Sequence, residues 1–144
     1  MTFLLDVNVL IALIDPAHVA HNAAHRWFDR QGRHAWASCP LTENGVVRIV
    51  GNSRYPNTPG SPAQVVDIMR ALCALPGHVF WPDDFSLCDD GHMDCTQIHL
   101  SSQVTDLYLL ASAVRHGGKL ATFDRRISPN AVRGGADALV LIGD

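Results

Sequence analysis

Near its start the chain changes the period of its apolar residues, and that change constrains the fold more than any other feature. Phe3, Leu4 and Leu5 form a continuous apolar run, the pattern of a strand buried on both faces. The run ends at Asp6, after which Val7, Leu10, Ile11 and Ile14 recur at helical spacing. A carboxylate is thereby set at the carboxyl end of a strand and the amino end of a helix. That is the edge along which open α/β sheets bind ligands. An aspartate there also caps a helix, so the junction alone does not separate the two roles. The pattern returns near the other end of the chain, where Lys119-Leu120-Ala121-Thr122-Phe123 reads as a strand that delivers Asp124.

Between these two junctions strands and helices alternate. Ala20, Ala23, Ala24, Trp27 and Phe28 mark the inner face of a helix expected over Val19 to Arg30. His34 to Ala37 reads as a strand, and Pro40 opens a helix whose stripe includes Val46, Val47 and Val50. Residues 51–60 carry too many turn formers for regular structure and read as a surface loop, a mobile rim rather than a linker. Ser61 and Gln64 form a capping box before the stripe Val65, Ile68, Met69 and Leu72. His78 to Trp81 is a third strand, and residues 83–94 an acidic loop and helix start. Thr105-Asp106 opens a helix with Leu107, Leu110, Ala111 and Val114 inward, closed by Gly117-Gly118. Leu139 to Ile142 is the last of five strands. The alternation predicts an α/β fold with a mainly parallel sheet flanked by helices, in one domain.

Composition narrows the function less. A net charge of −3 does not advertise a nucleic-acid binder, but a bound divalent ion can supply the missing positive charge. No apolar stretch is long enough to span a bilayer, and the start lacks a basic leader, so no membrane association is expected. Cys39, Cys73, Cys88 and Cys95 have no framework spacing, which fits reduced thiols in the cytoplasm. Two rarities stand out: Glu43 is the sole glutamate and Lys119 the sole lysine.

In a parallel sheet the carboxyl ends of all strands face one way, so Asp6 and Asp124 share an edge. Asp106 starts the helix that leads back to the strand before Asp124, and Glu43 starts the helix after the second strand. Four carboxylates are expected on one rim, where they repel one another unless a cation sits among them. Oxygen donors alone select a hard ion, Mg²⁺ or Mn²⁺. Two other ligand patterns are weaker. His21 and His25 lie one turn apart without an evident third ligand, and Cys88, His92, Cys95 and His99 line a single helical face that cannot wrap an ion.

Leu5-Asp6-x-Asn8-Val9-Leu10, Thr42-Glu43, Thr105-Asp106 with Leu110-Ala111, and Thr122-Phe123-Asp124 together resemble the four motifs of PIN-domain nucleases. Within that superfamily the chain is most similar to the VapC-type toxins of bacterial toxin–antitoxin modules. The resemblance implies a single PIN-like domain over residues 1–144 and a Mg²⁺- or Mn²⁺-dependent endoribonuclease. It implies Asp6, Glu43, Asp106 and Asp124 as the metal-binding and catalytic residues, supported by Asn8 and Thr122. It also implies a cognate antitoxin and a homodimer. Because the first helix is apolar nearly all round, the face built from Val9 and Leu13, or the neighbouring helices, is expected to bind another chain. Arg26, Arg48, Arg54, Arg125 and Arg126 are candidates for RNA phosphate contacts. Two other readings compete. A haloacid-dehalogenase-like phosphatase would need Lys119 in the site and an aspartate where Asn8 stands. A non-catalytic PIN-like binding module would be expected to have lost acidic residues.

Overall fold

A computed structural model of the chain describes residues 1–89 and 91–143; Asp90, within the acidic stretch, and Asp144 lie outside it. Strand β1 (Phe3–Leu5) passes directly into α1 (Val7–Ile14). Next come α2 (His21–Arg30), β2 (Trp36–Ser38), α3 (Pro40–Val50), α4 (Pro62–Cys73) and β3 (His78–Phe80). The last elements are α5 (Val104–Arg115), β4 (Lys119–Thr122) and β5 (Leu139–Leu141). All four strand pairings are parallel, in the order β3-β2-β1-β4-β5.

Successive side chains of a strand point to opposite faces, and here they feed two cores. Leu5, Trp36 and Ala121 join Val9, Leu10, Trp27, Phe28, Val46 and Val65 beneath α1 to α4. Leu4, Ala37 and Leu120 join Leu107, Leu110, Ala131 and Val132 on the face covered by α5. The continuous apolar run of β1 is explained by its central place, with helices on both sides.

Three details differ from the sequence expectation. Val9 is fully buried and Leu13 is 5% exposed, because α1 packs between α2 and α3 over the sheet. Its all-round hydrophobicity is spent inside the chain and leaves no face of Val9 and Leu13 for a partner. The loop at 51–60 is also tied down: Tyr55 packs against the core and donates its hydroxyl to Asp15, which Asn57 Nδ2 reaches at 3.3 Å. In the acidic stretch, Met93 is buried and bridges antiparallel to Val132. Phe85 stacks on Tyr108 with ring centroids 4.3 Å apart, so apolar anchors rather than a helix organise that loop. The histidines His21 and His25, a weak ligand pattern in the sequence, turn toward α1. Nδ1 of His21 lies 2.7 Å from the Ala12 carbonyl and Nε2 of His25 2.9 Å from that of Leu13, which satisfies orphan carbonyls at the end of α1.

Candidate active site

Asp6 does both things its position allows. Its Oδ1 accepts the backbone N–H of Val9 at 3.1 Å and caps α1. Its Oδ2 accepts the hydroxyl of Thr122, at the end of the neighbouring strand β4. The Thr122 oxygen in turn accepts the backbone N–H of Asp124 at 3.0 Å. One fully buried hydroxyl thus ties the ends of two adjacent strands together and sets two aspartates beside each other. Asp106 stands in the first turn of α5, where the helix dipole favours a negative charge.

The three carboxylates feel one another. Burial raises the pKa of Asp6, and the Asp124 charge adds to that rise, against hydrogen bonds from Thr122, Val9 and Asn8. Asp106 is pushed up to about 6, first by burial and then by the charges of Asp6 and Asp124. Asp124 is held below the usual carboxylate range by Arg126, whose backbone N–H and Nε approach Oδ1 at 2.9 and 3.1 Å. In front of Asp6 and Asp106 lies a hollow of about 270 Å³, also lined by Asn8, Asn44, Arg48 and Thr105. Its donors are oxygens, and the strained ionisation of Asp6 and Asp106 is what a hard divalent cation relieves. The residues present therefore fit such an ion.

Glu43 is the exception. Its carboxylate turns away from this hollow and accepts the Ser38 hydroxyl at 2.6 Å. It lines a different depression between α3 and α4, together with Cys73 and His78. Consecutive helix positions diverge by about 100°, and it is Asn44, one position on, that reaches the aspartate hollow. Periodicity placed Glu43 on the protein side of its helix correctly but could not say which of two hollows it would face. Ser38, Cys73 and His78 carried no motif that could have singled them out.

Among the arginines, Arg48 lines the hollow and Arg126 binds Asp124, with exposed Arg125 beside it. Arg26 on α2 and Arg54 in the 51–60 loop are exposed and do not line it. Lys119 pairs in register with Phe3, at the opposite end of the strands from Asp6, which removes the phosphatase reading. Cys88 and Cys95 are exposed. Among the described residues they belong to no group of potential metal ligands.

The model of the PIN domain family matches residues 3–132. The chain belongs to the PIN-domain family. Its similarity to Ribonuclease VapC44 of Mycobacterium tuberculosis is 44% identity over 134 residues, covering 93% of this chain and 94% of the relative. Ribonuclease VapC39 of the same organism is 43% identical over 139 residues, covering 96% and 100%. These relatives make this a PIN domain of the VapC type. Among solved structures, that of FitAB bound to an IR36 DNA fragment matches with a TM-score of 0.59 at 20% identity, covering 96% of this chain and 94% of the other. VapBC2 from Rickettsia felis bound to a promoter DNA fragment matches with a TM-score of 0.50 at 13% identity, covering 92% and 96%. At such identities the likeness speaks for the fold of this PIN domain alone.

Proposed function

We propose that this PIN domain is a divalent-metal-dependent endoribonuclease, the toxin of a type II toxin–antitoxin pair. The observation that carries the reading is the group of three aspartates, in which burial and a neighbouring carboxylate charge raise the pKa of both Asp6 and Asp106. Relatives named as VapC ribonucleases over almost their whole length support it. Asp6, Asp106 and Asp124 would hold Mg²⁺ or Mn²⁺, with Thr122 fixing the Asp6 carboxylate and Asn8 at the mouth of the hollow. When bound, the ion supplies charge neutralisation at the phosphate and a water of lowered pKa. Arg48 and Asn44 line the approach and would hold the RNA backbone; Arg126 lies against Asp124.

The reading extends to one PIN-like domain over residues 1–144, a cognate antitoxin, a homodimer and a cytoplasmic location. No helix among the described residues is long and apolar enough to cross a membrane. With Val9 and Leu13 buried, partner contact falls to the helix faces left exposed, such as that of Val66 on α4.

The test is incubation with RNA in Mg²⁺, Mn²⁺ or EDTA. Cleavage should need the metal and disappear in Asp6→Asn, Asp106→Asn and Asp124→Asn with circular dichroism unchanged. Metal-independent cleavage, or folded aspartate variants that cut as wild type does, would overturn the reading.

A further inference from the structure

Cys88 and Cys95 stand in the acidic connection between β3 and α5, outside the aspartate hollow, and both are exposed. Their backbones are held from two sides. Ahead of Cys88, Phe85 stacks on Tyr108, whose hydroxyl donates to the Phe85 carbonyl at 2.9 Å. Ser86 then fixes a turn: its hydroxyl accepts the Cys88 N–H at 3.0 Å and its carbonyl the Asp89 N–H at 3.1 Å. Ahead of Cys95, Met93 is buried in the core under α5, and Asp94 donates its N–H to the Ala131 carbonyl at 2.8 Å. These anchors bring the two cysteines to one place. Cys95 Sγ donates to the Leu87 carbonyl at 3.5 Å, across eight positions of sequence. That carbonyl belongs to the peptide unit leading into Cys88. Both cysteines line a single hollow of about 390 Å³.

A disulfide needs two Cβ vectors that converge. Here one thiol already rests against the other cysteine's peptide unit, and rotation of two exposed side chains completes the approach. In a reducing compartment such a pair stays open, and disulfides that form there are transient and redox-responsive. Residues 83–94 carry five aspartates and no lysine or arginine, so their field draws in a cationic oxidant and repels an anionic one. We propose that Cys88 and Cys95 are a reversible oxidation site, closed into an intramolecular disulfide by a small cationic disulfide. The exchange has two steps. The thiolate of one cysteine attacks a sulfur of the oxidant, which forms a mixed disulfide and releases half of the oxidant as a thiol. The thiolate of the other cysteine attacks the protein sulfur of that mixed disulfide. The Cys88–Cys95 bond forms, and the second half of the oxidant leaves as a thiol. The two cysteine protons end on the two released thiols, and the oxidant takes up the two electrons. The bridge fastens the Phe85 anchor to the Met93 anchor, in the connection that leads to Asp106.

Cystamine is the probe. Reduced full-length protein treated with it should become lighter by two hydrogens, and peptide mapping should find one disulfide, between Cys88 and Cys95. Its rate should not depend on protein concentration, and dithiothreitol should reverse it. The closed form should melt higher by about 2–8 °C, because the bridge constrains the unfolded chain. Cys88→Ser should keep a cystamine adduct on Cys95 and gain no such stability, whereas Cys73→Ser should close as wild type does. Stable adducts on both cysteines, a bridge to Cys39, Cys73 or a second molecule, closure only in urea, or a closed form that melts no higher than the reduced one would overturn the proposal.

Discussion

Thr122 reaches across 116 positions of sequence to donate its hydroxyl to Asp6, and the same oxygen accepts the backbone N–H of Asp124. A side chain with no ionisable group is therefore the joint on which two of the three aspartates are mounted. Thr122→Val keeps the shape and removes the joint. It leaves a carboxylate that is 4% exposed without one of its donors, which costs about 1–3 kcal/mol. Urea unfolding near neutral pH should show that loss, RNA cleavage should fall with it, and Thr122→Ser should restore most of both. Unchanged stability in Thr122→Val would mean that Asp6 does not depend on the hydroxyl.

Asp106→Asn should stabilise the metal-free protein, although most substitutions destabilise. It removes a charge whose pKa burial, Asp6 and Asp124 raise to about 6. In EDTA the variant should melt above wild type and gain much less from Mg²⁺ or Mn²⁺. A saturating ion should stabilise wild type by about 2.7 kcal/mol at a hundredfold excess over its dissociation constant. Exposed Asp29→Asn should show neither effect.

The pH dependence of stability should carry two opposite signs. A folded-state pKa raised to about 6 means that the Asp106 contribution is complete below the unfolded value near 3.8 and is lost as pH climbs through 6. Asp15 runs the other way. Burial raises its pKa, but hydrogen bonds from Tyr55, the Ala17 backbone and Asn57 outweigh that and leave it lowered. Its contribution is present above the ordinary carboxylate value and fades as pH falls below it. Tyr55→Phe should remove most of the Asp15 component, costing roughly 1.5–3 kcal/mol at neutral pH, while the Asp106 component persists. Parallel stability–pH curves for Tyr55→Phe and wild type in the acid range would contradict this.

Arg48, at the hollow, should act on RNA through its charge alone. Arg48→Ala should weaken binding to RNAs of different sequence by a similar factor. It should also reduce the slope of log affinity against log salt by about 0.7, the share of one phosphate contact on a single strand. Arg54→Ala, in the 51–60 loop, should change neither. A loss confined to one RNA sequence would point to base contact instead.

The parts of this molecule that could be read from its sequence are those governed by periodicity. The uninterrupted apolar run of β1, the stripe of α5 and the capping box at Ser61 each answer to a local rule, and each element stands within about two residues of where the rule puts it. The three aspartates were legible because a parallel sheet gives every strand end the same edge. Glu43 was not, since its direction depends on whether α3 packs it toward α1 or α4, a tertiary choice with no local signature. Val9 and Leu13 misled for a related reason: an all-round apolar helix looks the same whether its second face is covered by its own chain or by another. His21 and His25 read as possible ligands because spacing cannot show that α1's carbonyls lie opposite them.

The sheet order has a consequence for the making of the protein. β1 precedes the other four strands in sequence but lies in the middle of the sheet, and the strand that completes its far side begins at Lys119. A growing chain holds Asp6 for 116 positions before Thr122, which fixes its carboxylate, is added, and Asp124 follows two positions later. On the activity proposed above, a chain cut before β4 would be harmless, because Asp6 would lack both the hydroxyl that holds it and the aspartate beside it.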